Sequence, residues 1–207
     1  MSATTAANDL RGTHPRLWRA ADVPERLTVP PVAYLAVDGT GDPNAAPEYA
    51  SAVQTLYAVA YGLRAAVKAG GGEPWTVMPL EGLWWADDMS AFHTSDRTGW
   101  RWTMLIAQPP VVTEAMAADA VAVAARKGKA PAADRLRFEV LEEGDAAQVM
   151  HHGPYSEEGP TIAALHAWIA DAGLALRGLH HEIYLGDPRR TAPEKLRTII
   201  RQPVAPA

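Results

Sequence analysis

The chain has 207 residues, a formal net charge of -5 and no cysteine, and its aromatic residues are seven Trp, six Tyr and only two Phe. That length suits one domain or two fused modules with a sizeable apolar core. The lack of cysteine excludes a disulfide framework, a thiolate nucleophile and a Cys-ligated metal centre. The acidic balance argues against a general affinity for nucleic acid or anionic lipid and favours cationic or neutral small molecules.

Met1 to Leu10 is small and polar, without the basic start and apolar run of a secretory signal. No apolar stretch is long enough to span a bilayer. A cytoplasmic protein with no membrane partner is expected, as a monomer or weak homodimer.

Residues 1–26 read as an N-terminal arm in which Trp18 packs. Leu27 to Asp38 reads as the first strand, stopped by the turn residues from Gly39 to Asn44. Pro47 and Glu48 then open a helix. Its apolar positions Val53, Leu56, Ala60, Leu63 and Val67 keep a 3, 4 spacing up to Gly70-Gly71-Gly72. Trp75 to Ala86 and Trp100 to Ala107 predict an antiparallel pair, joined by a polar connection from Asp87 to Gly99. Thr113 to Arg126, with Glu114 in its first turn and basic residues at its end, predicts a linking helix over 113–127. Strands follow at Leu136 to Leu141 and Ala147 to His152, a turn at Gly153-Pro154, a helix at Glu157 to Ala172, and strands at His180 to Leu185 and Thr198 to Val204. The second half thus repeats the order of the first. The expected architecture is α+β, with two β-α-β-β units at about 27–107 and 136–204, helices on one face of antiparallel sheets and a ligand cleft along the pseudo-symmetric seam.

Trp75, Trp84, Trp85, Trp100 and Trp102 fall in the two central strands of the first half. Indole must find a partner for its N–H, so Phe and Leu would fill an ordinary core more naturally, and the cluster predicts an aromatic wall for a planar or cationic guest. Trp100 and Trp102 share a strand face, and one of the adjacent Trp84 and Trp85 joins them. In the second half, His180, Glu182 and Tyr184 share a face, opposite His181, Ile183 and Leu185. A mid-strand Glu facing a cleft is a usable base or a counter-charge for a cation. His151, His152, His180, His181 and Glu182 lack metal-ligand spacing, because adjacent strand residues diverge. No metal or other cofactor is expected. The chain also lacks a Gly-x-Ser-x-Gly elbow and a phosphate loop, and Asp187 to Glu194 together with Lys127, Lys129, Arg135 and Arg137 read as structural or solvated.

Three segments, Val37-Asp38-Gly39-Thr40-Gly41-Asp42-Pro43, His152-Gly153-Pro154-Tyr155 and His181-Glu182-Ile183-Tyr184-Leu185-Gly186-Asp187-Pro188, resemble the GyrI-like small-molecule-binding proteins in kind and order. The Leu83-Trp84-Trp85 and Trp100-Arg101-Trp102 segments are similar to the subfamily of cyclopropanoid cyclopropyl hydrolases. These open the cyclopropane of DNA-alkylating planar natural products of the yatakemycin and CC-1065 type inside an aromatic cage. The resemblance implies a cofactor-independent hydrolase giving xenobiotic self-protection, with Glu182 in the acid/base position; the chemistry also needs a donor to the reacting carbonyl, which Tyr155 or one of the histidine pairs can supply. It implies a cage drawn from Trp84 or Trp85, Trp102, Tyr155 and Tyr184, with His180 and Tyr57 as further ligand contacts. The alternative is a protein that sequesters planar or cationic drugs without turnover.

Overall fold

The computed structural model describes residues 8–86 and 99–207. The expected connection from Asp87 to Gly99 therefore lies, apart from Gly99, outside the described residues. The elements run in chain order as α1 (Leu10–Thr13), β1 (Glu25–Val29), β2 (Val32–Thr40), α2 (Pro47–Ala69), β3 (Leu80–Ala86), β4 (Trp100–Gln108), α3 (Glu114–Arg126), β5 (Leu136–Leu141), β6 (Gly144–His152), α4 (Gly159–Asp171), β7 (Leu174–Leu176), β8 (His180–Tyr184) and β9 (Arg197–Pro206). None of the described helices is long and apolar enough to cross a membrane.

The helices begin and end where their chemistry requires. Pro47 and Glu48 occupy the first turn of α2, and Gly70 caps it. Leu56, Ala60 and Leu63 of its apolar stripe are buried, whereas Val53 faces the cleft described below. Thr113 caps α3, its hydroxyl accepting from the Met116 N–H at 3.3 Å. Residues 155–157 form a 3-10 turn, so α4 starts at Gly159-Pro160, two residues later than the sequence predicts.

All the major strands join one antiparallel sheet in the order β1-β6-β9-β8-β3-β4-β2-β5, with β7 added on β9. The order is mirrored about the β3/β8 pair: β3, β4 and β2 of one half answer β8, β9 and β6 of the other, as the sequence repeat predicts. Gly82 of β3 stands opposite Glu182 of β8 at that seam.

Two expectations change. The single strand expected over 27–38 is two strands, because Pro30 and Pro31 supply no ladder N–H and break it. The strand expected from Trp75 starts only at Leu80, after Pro79. The break at Pro30-Pro31 has a large consequence. It leaves β1 and β2 six strand spacings apart in the sheet, roughly 29 Å if flat, yet the two intervening residues reach only about 10 Å. β5 and β6, joined by Glu142 and Glu143, repeat the arrangement at the opposite edges. The sheet is therefore rolled, with α2 and α4 outside it.

The inner surface carries a buried polar cluster. His181 lies 3.0 Å from both Glu81 and Glu143, and Arg201 reaches Glu143 at 3.2 Å. Segment 8–24 closes over this inner surface, while its Arg11 reaches the cleft lining. Leu10, Leu17 and Trp18 are buried, the Trp18 indole donates to Glu81 at 2.8 Å, and Arg201 donates to the Leu17 carbonyl at 2.6 Å.

Candidate functional site

On the outer face, α2 and α4 stand apart over the seam and leave a cleft of about 2060 Å³. Strand alternation sends Gly82 and Trp84 of β3, Trp100 and Met104 of β4, and His180, Glu182 and Tyr184 of β8 to this side. One flank is Tyr49, Val53 and Tyr57 of α2; the other is Tyr155 and Glu158 at the start of α4.

Glu182 is held by its neighbours. Its Oε1 pairs with His180 Nε2 at 3.1 Å, and its Oε2 accepts from the Tyr184 hydroxyl at 2.7 Å. The Trp84 indole in turn donates to that hydroxyl at 2.9 Å. Burial opposes the charge on Glu182, but the hydrogen bonds and charge of His180, with the Tyr184 bond, outweigh it and hold the carboxyl below the usual carboxylate value. Gly82 makes room for this relay. A Cβ there would lie 2.8 Å from Trp84 Nε1, 3.0 Å from the Tyr184 hydroxyl and 3.2 Å from Met104 Cε.

Glu158 is a candidate group in the cleft that sequence reasoning missed. It is buried, and burial together with the negative Glu182 beside it pushes its carboxyl up to about 9. At neutral pH Glu158 is therefore protonated beside an ionised Glu182. The two carboxyls hold one proton between them, as like charges in close contact must. The sequence signal was a Glu set just ahead of the helix-opening Gly159-Pro160. Tyr49 was also missed, although Tyr49, Val53, Tyr57 and Tyr61 recur every four residues along one face of α2.

Aromatic side chains from both halves line the cleft. Trp84 and Trp100 meet edge to face at 5.6 Å, Tyr155 meets Tyr184 at 5.2 Å, and all four line the cleft. Trp84 bonds the Glu182 relay, and Trp85, partly buried, also reaches the wall. Tyr57 and His180 line it as expected. The Tyr155 hydroxyl donates to the Gly186 carbonyl at 3.4 Å, a long bond, and burial raises its ionisation above the usual tyrosine value. Trp102 corrects the sequence reading. It is fully buried and absent from the cleft lining, because its ring lies over Gly39, where an added Cβ would come 2.1 Å from it. From there it meets Tyr49 edge-on at 5.3 Å and donates to the Gly41 carbonyl at 3.3 Å. Trp102 thus supports a wall residue and is not itself part of the wall. Trp75 is likewise buried outside the cleft.

The other histidines that the sequence singles out, His151, His152 and His181, serve separate partners. His151 bonds Thr161 and the Pro154 carbonyl, exposed His152 bonds Asp22, and His181 belongs to the inner cluster. Among the described residues no group of three or more His, Asp or Glu converges on a metal position.

The model of the GyrI-like small molecule binding domain matches residues 23–205. The chain belongs to the GyrI-like family. Solved structures agree across nearly the whole length. An uncharacterized conserved protein from Listeria innocua is 39% identical, with a TM-score of 0.88, covering 95% of this chain and 99% of that one. A structure described as a hydrolase from Listeria innocua is 38% identical, with a TM-score of 0.83 and the same coverage. The EcmrR C-terminal domain, at 14% identity and a TM-score of 0.55 over 89% of this chain and 98% of that one, shares the fold. A comparison with curated proteins finds no match. Small-molecule binding is thus a property of the GyrI-like domain to which this cleft belongs.

Proposed function

We propose that this GyrI-like protein is a hydrolase that opens the cyclopropane ring of planar, DNA-alkylating natural products of the yatakemycin and CC-1065 type, protecting the cell against them. The observation that carries the reading is the carboxyl pair. An ionised Glu182 and a protonated Glu158 stand together on the wall of an aromatic cleft. The similar Listeria innocua protein described as a hydrolase supports turnover as well as binding.

The chemistry needs positioning, a base and an acid. Glu182 takes a proton from water as the oxygen attacks the least hindered cyclopropane carbon. A ring C–C bond breaks, and its electron pair passes into the conjugated dienone, which becomes a phenolate. A proton from Glu158, or a hydrogen bond from Tyr155, meets the oxygen where that charge develops. When Glu158 supplies the proton, the pair ends with the proton it began with, now on Glu182, and the net change is addition of one water. The Trp84, Trp100 and Tyr184 rings hold the flat substrate and limit solvent.

The family's description as a small molecule binding domain favours a second reading, sequestration without turnover. Mass spectrometry separates the two. Incubation with a duocarmycin-type cyclopropane should yield many equivalents of the product one water heavier, and Glu182→Gln should lower kcat by about 10²–10⁴-fold while retaining affinity. Stoichiometric protection with no hydrated product would overturn the enzyme reading.

A further inference from the structure

We infer that the groove between α2 and α3 is a second subsite, taking the distal flat arm of an elongated ligand whose reactive end lies at Glu182. The inference rests on the cleft being the ligand site. The groove holds about 520 Å³ and is walled by Tyr57, Tyr61 and Ala66 of α2 and by Met116, Ala120 and Val123 of α3. It is not isolated. Tyr57 and Tyr61 line the cleft as well, so the two spaces share a wall made of one tyrosine pair, stacked at 6.2 Å with 27° between the rings. A ligand that outgrows the cleft has a flat aromatic saddle to cross.

Two further observations describe the occupant. Tyr61 is 58% exposed and Val123 40% exposed, so both helices present apolar surface to water across the groove. Such facing apolar surface is characteristic of a binding site. Leu63 and Ala124, both buried, also line the groove. Lys127 and Lys129 border the groove, with Asp119 on the α3 side. The Gln54 amide, on the cleft side of α2, donates to the Lys129 carbonyl at 3.4 Å, which sets this border next to the cleft. Two ammonium groups against one carboxylate favour an arm bearing a carbonyl or carboxylate acceptor over a cationic one. The distal arm is therefore planar, aromatic and acceptor-bearing.

The test compares a single indole-2-carboxamide with its head-to-tail trimer ending in a free carboxylate, by titration calorimetry on the full chain. The trimer should bind wild type at least about tenfold more tightly, equivalent to 1.4 kcal/mol. Ala120→Trp fills the groove and should erase that advantage while leaving the monomer's Kd unchanged. Val123→Glu, at an exposed site, should do the same, so the inference does not depend on one bulky variant folding. Lys127→Glu should weaken the trimer acid but not its methyl ester. Equal affinities for monomer and trimer in wild type, or a trimer advantage that survives both groove variants, would overturn the subsite. Failure of both probes to bind would overturn the cleft reading itself. Light scattering showing a dimer that Ala120→Trp dissociates would assign the groove to a second copy of the chain and also overturn the subsite.

Discussion

Trp84 and Tyr184 meet across the seam between the two halves of the molecule, the indole N–H donating at 2.9 Å to a hydroxyl that itself donates to Glu182 at 2.7 Å. The bond ties a residue of the first repeat to the Glu182 carboxylate of the second. In Tyr184→Phe, Glu182 loses a donor that favours its charged form, and a buried indole loses its acceptor. The carboxyl should move up toward the usual range, shifting the acid limb of kcat/KM for cyclopropane hydration to higher pH. Stability should fall by about 1–3 kcal/mol, or roughly 2–4 °C of Tm per kcal/mol at this size. An acid limb unmoved in Tyr184→Phe would show that His180 alone sets the Glu182 charge.

Gly82 tests the same relay from the opposite strand. Its Cα partner is Glu182, and an added methyl would sit 2.8 Å from Trp84 Nε1 and 3.0 Å from the Tyr184 hydroxyl. Gly82→Ala should therefore push the two apart. We expect an overpacking cost of about 1–3 kcal/mol, changed tryptophan fluorescence and a loss of turnover larger than the loss of ligand affinity. Retention of wild-type turnover would mean that the relay tolerates the displacement and does not position the base.

Local signals accounted for much of this geometry, and their limits are physical. Glu182 and Tyr184 declared themselves because strand alternation puts i and i+2 on one face, so locating β8 placed both. The two-unit order was legible because each unit is built from local pairings and helix caps. Trp102 misled, since a strand face says which side a ring leaves the sheet but not whether a helix residue, here Tyr49, covers it. Glu158 was hidden because its partner lies 24 positions away in the chain and its environment is made by the seam. The rolling of the sheet depended on Pro30 and Pro31, which read as a pause within one strand until pairing sent β1 and β2 to different edges.

Glu158 should leave a signature in the pH dependence of stability. Its carboxyl titrates at about 9 in the folded chain against 4.5 as the ordinary value. The folded state therefore binds more protons than the unfolded state between those values, and stability falls as pH rises from about 4.5 to 9. Glu158→Gln removes that penalty, so its Tm relative to wild type should rise steadily over the interval and level off above pH 9. In activity, wild type should lose turnover above about pH 9 as Glu158 ionises, and the variant should lack this alkaline limb at a reduced kcat. Parallel Tm curves for the two proteins would exclude a shared proton.

The inner cluster adds a second titration that can be distinguished from the first. Glu143 and Glu81 raise His181 from 6.5 to about 9 despite burial, and His181 and Arg201 lower Glu143 to about 2. Stability from His181 is complete below about pH 6.5 and is lost as pH climbs through 9. Stability from Glu143 is complete above about 4.5 and is lost as pH falls through 2. Between pH 4.5 and 6.5 the slope of Tm against pH therefore belongs to Glu158, and above 6.5 His181 steepens it. His181→Leu leaves Glu81 and Glu143 buried without the imidazolium between them, a change that costs about 3–5 kcal/mol. It should lower Tm most at pH 6 and flatten only the slope above 6.5. Because Trp18 donates to Glu81 at 2.8 Å, the same variant should also loosen segment 8–24, read as faster amide exchange around Leu17 and Trp18 than in wild type. A uniform Tm loss with the alkaline slope intact would show that the imidazole is neutral and serves only to pack.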